Sequence, residues 1–182
     1  MGSSYGDGGD FVDLRFVKRL ALIVMALFPA LWGLLGDLNN ATDFKGTATN
    51  AVAPMIAMTN TYGNPLQIWR AITAPWAAEA GLALIMAAET AAGVFGAISI
   101  IIMIANLRGG AAAFARGKAW MILSCLFAIL VWGVGFMVVA GDWFLAWQAK
   151  QDPLSTQLGA MIYFLPCALA LIVAMIHWEE LS

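Results

Sequence analysis

The chain has 182 residues, 62% hydrophobic and 11% charged, with a mean hydropathy of +0.83 and a formal net charge of −2. Soluble domains carry about 25% charged residues, so long apolar runs with this few charges describe an integral membrane protein. So small a net charge gives no reason to expect a nucleic-acid partner, and one histidine with two cysteines argues against intrinsic haem, iron–sulfur or zinc chemistry.

Residues 1–14, MGSSYGDGGDFVDL, are rich in Gly, Ser and Asp and are expected as a flexible tail. Arg15, Lys18 and Arg19 follow, then a first span over about 17–36 with Pro29 inside it. A basic flank before an apolar run also describes a signal peptide, but the tail carries aspartates and no small-x-small cleavage site follows. Residues 37–75 form the longest hydrophilic stretch, with turn-forming Asn39, Asn40, Asp43, Asn60 and Asn64. Inside it, Ala51–Met58 and Leu66–Ile72 are too short to span and read as interfacial helices.

Pro75 suits the first turn of the second span, over about 76–107. Only Glu79 and Glu89 are ionisable between Trp76 and Leu107. The stretch is longer than the ~30 Å hydrocarbon core requires. A basic loop over 106–118, a third span over about 119–140, an aromatic loop over 141–158 and a fourth span over about 159–178 complete the chain. Cys125 and Cys167 fall inside apolar runs and are expected as small buried residues, not a disulfide.

Lysine and arginine placement orients the bundle. Arg15, Lys18, Arg19, Arg108, Arg116 and Lys118 fall on one side of a four-span topology, and only Lys45, Arg70 and Lys150 on the other. The expected fold is an all-α four-helix transmembrane bundle with both termini cytoplasmic and a periplasmic cap of short interfacial helices. Residues 15–182 form its single membrane domain. Trp69, Trp76, Trp143, Phe144 and Trp147 then mark the periplasmic interface.

Glu89 is the costliest residue to place, because an unpaired carboxyl in hydrocarbon costs several kcal/mol. It reads either as a neutral carboxyl donating a hydrogen bond across helices, with Trp132 as candidate partner, or as a proton- or ligand-handling group. Ala92, Gly93, Gly96 and Ala97 beside it form a small-residue seam for a close helix contact, within the bundle or with a partner subunit. Arg70 is expected to tie the periplasmic loops through the carboxylates of Asp43 and Asp142, with a lipid headgroup as the alternative.

Three motifs stand together on the same side: NNATDF at 39–44, IWRAIT at 68–73 and GDWFLAWQ at 141–148. With four spans and a mid-span Glu, the chain resembles a family of small bacterial integral membrane proteins catalogued as a domain of unknown function. The family pattern has Glu where Asp142 stands, and a His and an Asp near Ala57 to Thr59, where this chain reads AMTN. The resemblance therefore carries no metal or acid/base role to that loop. It implies a bacterial inner-membrane location and supplies no activity.

Three functions stay open at this point. The first is a non-catalytic accessory subunit of a larger inner-membrane assembly, respiratory or photosynthetic in type. It rests on missing redox ligands and abundant Gly/Ala packing surface. The second is a small oligomeric transporter or channel using Glu89. The third is an enzyme of lipid or quinone chemistry at the periplasmic Arg/Asp/Trp cluster. Membrane lipids and other membrane subunits are the expected partners, with bound lipid and no intrinsic cofactor.

Overall fold

The computed structural model describes residues 13–150 and 153–176. Residues 1–12 of the expected 1–14 tail and the end of the fourth span beyond Ile176 lie outside the described residues, while Asp13 and Leu14 already cap and begin the first helix. Helix α1 covers Leu14–Thr42 and opens on Asp13, whose carboxyl accepts from the Arg15 N–H at 3.0 Å. It runs unbroken through the buried Pro29. It does not stop at 36 as expected: Asp37 to Asn40 stay helical, and the turn comes at Asp43, whose carboxyl accepts from Gly46 N at 3.1 Å and starts the next helix.

Between the first two spans lie α2 (Phe44–Thr47), a π-helical turn (Ala48–Val52), α3 (Ala53–Ile56) and a 3-10 turn (Ile68–Arg70). Helix α4 covers Ala77–Ala105. Helix α5 covers Ala111–Ile129 and continues as a wider π-type helix over Leu130–Trp143. The basic loop expected over 106–118 is thus a short turn. Gly109 and Gly110 end the break, and the alanines at 111–113, strong helix formers, start α5 at once. Helix α6 covers Ser155–Met175. Four helices are long and apolar enough to cross a membrane, and no strand occurs among the described residues.

Helix α4 packs between α1 and α5, and α6 lies against α5 and α1. The composition of the bundle is inside-out. Ala26, Ala30, Ala92, Ala128, Ala170 and Ala174 are buried, while Leu84, Ile101, Ile162 and Ile172 face outward. Lipid tails are as apolar as leucine, so burying leucine gains little. Association rests instead on close contact and interhelical hydrogen bonds. Two serines supply such bonds between α4 and α5. Ser124 Oγ donates to the Ala92 carbonyl at 2.6 Å, and Ser99 Oγ to the Gly117 carbonyl at 2.8 Å.

At the end of the bundle where α4 turns into α5, Arg19 is 2% exposed. Its guanidinium donates to the carbonyls of Asn106, Leu107 and Gly109 at 3.1, 3.1 and 2.7 Å and lies 4.6 Å from the Phe114 ring centre. A cation on the free carbonyls after a helix C-terminus satisfies acceptors that the helix leaves open. Arg19 therefore pins α1 to the α4–α5 turn, beyond the orientation role its sequence position suggests.

Cys125 and Cys167 are both buried and free. Mass analysis of the alkylated, unreduced protein should find two modified thiols. An intramolecular disulfide would contradict this arrangement.

Candidate functional site: the Glu89 junction and its chamber

The site begins with two matched helix faces. Gly33, Gly36 and Asn40 recur at i, i+3 and i+7 on α1, and Glu89, Gly93 and Gly96 at i, i+4 and i+7 on α4. The faces meet backbone to backbone. A Cβ on Gly33 would lie 2.5 Å from both the Glu89 carbonyl oxygen and Gly93 N. One on Gly96 would lie 2.5 Å from the Ala30 Cβ. Ala92, Gly93 and Gly96 are buried in this contact and Ala97 is half-buried, so the seam is used inside the chain's own bundle.

Glu89 is 3% exposed. Its carboxyl lies over Gly36, where a Cβ would stand 2.9 Å from Oε1, and Oε2 accepts from Asn40 Nδ2 at 2.9 Å. Asp37 on the next part of α1 acts on it electrostatically. The partner is therefore Asn40, not Trp132. The Trp132 ring is stacked on Tyr163 at 4.5 Å and on Phe136 at 5.2 Å. The antiparallel register sets this pairing. It places the last turn of α1, with its polar residues, at the level of Glu89, so the carboxyl does not stand alone among aliphatic groups.

Beyond Asn40 polar side chains enter the interior among apolar ones. A partly open chamber of about 360 Å³ is lined by Asn40, Thr47, Asn50, Asn60, Ser155 and Thr156 among apolar neighbours. Beside it, an apolar groove of about 590 Å³ runs between α4 and the widened part of the third span. Leu84 and Ala88 form one side, Leu130, Val134 and Val139 the other, and Trp76 stands at its end. In the opposite direction from Glu89 the interior closes. Met103, Phe114, Met121 and Cys125 are fully buried together.

The loop tie differs in its chemistry from the expectation. Arg70 Nη1 donates to the main-chain carbonyl of Asp142 at 3.3 Å, and its guanidinium lies 5.5 Å from the Trp143 ring centre. Among the described residues no ion pair joins it to the carboxylate of Asp142 or Asp43, and Asp43 caps α2 instead. The loops still meet through Arg70, through the edge-on pair Trp69–Trp143 at 5.8 Å, and through Tyr62, whose ring meets Trp147 at 6.1 Å and whose N–H donates to Gln148 Oε1 at 3.2 Å. Trp69 and Trp76 are each 71% exposed, and Trp143 is also exposed, whereas Trp147 is half-buried. Phe144 is not an interface residue. The left-handed Leu145, at φ 57°, turns the chain back and packs Phe144 onto Met58.

The family model described as "Predicted small integral membrane protein (DUF2165)" matches residues 18–177. The chain belongs to that family. The match covers α1 through α6, including the Glu89 junction and all three loop motifs. No curated protein and no solved structure matches the chain. Membership fixes the class of molecule and leaves its activity to be argued from the site.

Asn40 and Arg19 carry two of the bundle's cross-helix ties, and neither stood out by residue type. The signal for Asn40 was its spacing from Gly33 and Gly36, which repeats one helical face through the assumed end of the span. Arg19 reads in sequence like its neighbours Arg15 and Lys18. Only the fold sets it against the α4 carbonyls.

Proposed function

We propose that the chain is a non-catalytic accessory subunit of a larger membrane assembly. The observation that carries this is that no polar path runs on from Glu89 through the middle of the bundle to the buried Arg19 at its other end. A transporter needs polar groups on both sides of its gate, and proton or ion paths are lined by several of them. Here the hydroxyls beyond the junction, Ser124 and Ser99, donate to backbone carbonyls, the core around them is apolar, and the Arg19 guanidinium at its far end is held by the carbonyls of the α4–α5 turn. The enzyme reading needs an open polar pocket converging on Arg70. That guanidinium is instead spent on a backbone carbonyl and a tryptophan face.

Mild detergent extraction of the tagged chain tests this. Other membrane polypeptides at a fixed ratio are expected. A homo-oligomer that passes ions in liposomes would overturn the proposal.

The same reading places the protein in a bacterial inner membrane with both termini cytoplasmic. The support is the asymmetry of lysine and arginine between the two ends. Reporter fusions at residues 50 and 112 should report opposite sides, with residue 50 periplasmic. A cytoplasmic signal from residue 50 would invert the assignment.

A further inference from the structure

The polar chamber and the apolar groove are neighbours, and their common wall decides what they fit together. Val52, Met55, Ile85, Phe136 and Phe144 line both. One side of that partition offers amides and hydroxyls that both donate and accept hydrogen bonds. The other side offers only hydrocarbon, between helices that face lipid. Each volume lies within the range of small-molecule sites, about 300–1,000 Å³. We propose that the pair is one binding site for an uncharged amphiphile, with a hydrogen-bonding carbonyl or hydroxyl head in the chamber and a single apolar tail in the groove.

The charge of the head follows from what the chamber lacks and what lies beneath it. No lysine or arginine lines it. Anionic heads are recognised by guanidinium or ammonium groups. Behind Asn40 stand the carboxyls of Glu89 and Asp37, which repel an anion when ionised. Lys45, Arg70 and Lys150 stand at this end, but none of them lines the chamber, and Arg70 is held by Asp142 and Trp143. An amide and hydroxyl surface with carboxyls behind it disfavours an anionic head and matches the hydrogen bonds of a neutral one. The tail side is equally specific. The widened helix over Leu130–Trp143 sets Val134 and Val139 opposite Leu84, opening the groove along the span. The proposal does not rest on the subunit reading, because one chain in one bilayer disc contains the whole site.

Two membrane sources share this chemistry, neutral acylglycerols and isoprenoid quinones. The test uses full-length protein in phosphatidylcholine nanodiscs, melted with 1-oleoylglycerol, decylubiquinone, oleate or lysophosphatidylglycerol. A ligand that binds only the folded state raises the melting temperature. At least one of the two neutral probes should raise it by several degrees, and the two anionic probes should not. A shift from 1-oleoylglycerol alone assigns an acylglycerol head, one from decylubiquinone alone a quinone head, and one from both a site that reads only neutrality. The shift should vanish in Ala80→Trp, which fills the groove from an exposed position, and in Asn50→Leu, which removes an exposed amide from the chamber. The unliganded melts of both variants show that they are folded. No shift with either neutral probe, an equal shift with oleate or lysophosphatidylglycerol, or a shift that survives both substitutions would each overturn the proposal.

Discussion

Replacing Gly33 by valine should destabilise the bundle strongly. The new Cβ would stand 2.5 Å from two backbone atoms of α4, the Glu89 carbonyl oxygen and Gly93 N. Backbone cannot rotate away as a side chain can, so α1 and α4 must separate. Separation weakens the 2.9 Å Asn40–Glu89 bond as well as the contact. Overpacking a well-fitted core typically costs about 1–3 kcal/mol and sometimes more, and this site belongs at the upper end. Gly159→Ala on α6 is the control, because a Cβ there meets nothing within 4 Å. It should melt at or slightly above the parent temperature, since alanine favours helix. Thermal melts followed by tryptophan fluorescence separate the two. A Gly33→Val protein that melts like its parent would show that the helices do not approach this closely.

The second large effect is expected at Glu89, and it depends on which group replaces the carboxyl. Glu89→Gln keeps the shape and an acceptor for the Asn40 amide. It should cost on the order of 1 kcal/mol or less, in line with interhelical hydrogen bonds in membranes, which average about 0.6 kcal/mol. Glu89→Leu leaves that amide unpaired and presses a branched side chain onto Gly36. A fully buried stranded donor costs about 1–3 kcal/mol, and the half-buried Asn40 beside the open chamber should cost toward the lower end. Asn40→Leu should cost a similar amount. The double variant should recover part of the loss, because replacing both partners by apolar groups removes the unmet donor. Strict additivity of the two single losses would mean that the two side chains do not interact.

The class of fold was legible because hydropathy reads a membrane directly. The apolar runs are long, the charges sit between them, and backbone polar groups in lipid must be satisfied within a helix. The ends of the helices were less legible. Asp37, Asn39 and Asn40 are residues that favour turns, yet α1 continues through them because one face fits α4 and Asn40 finds a carboxyl. Local preference yielded to a tertiary contact. The partner of Glu89 followed from the same error of range. With α1 ended at 36, Asn40 fell in a loop, and of the polar side chains the other spans offer, Ser124, Trp132 and Tyr163, Trp132 stood at a suitable depth. Arg70 was rightly placed between the two loops but given the wrong acceptor. A carboxylate is the usual partner for a guanidinium, whereas here the turn at Asp142 presents its carbonyl. The small-residue seam was legible as a seam, but spacing alone does not say whether the helix that packs on it belongs to the same chain.

On the proposed function, Glu89 ties α1 to α4 inside a subunit of a larger assembly. The most direct test is the yield of partner polypeptides recovered with tagged parent, Glu89→Gln and Glu89→Leu chains after mild extraction. The parent and Glu89→Gln should bring down the same set in the same ratio, while Glu89→Leu loses it together with thermal stability. A parent chain recovered without partners, or a Glu89→Gln chain that is as stable as the parent but recovers none, would contradict the account.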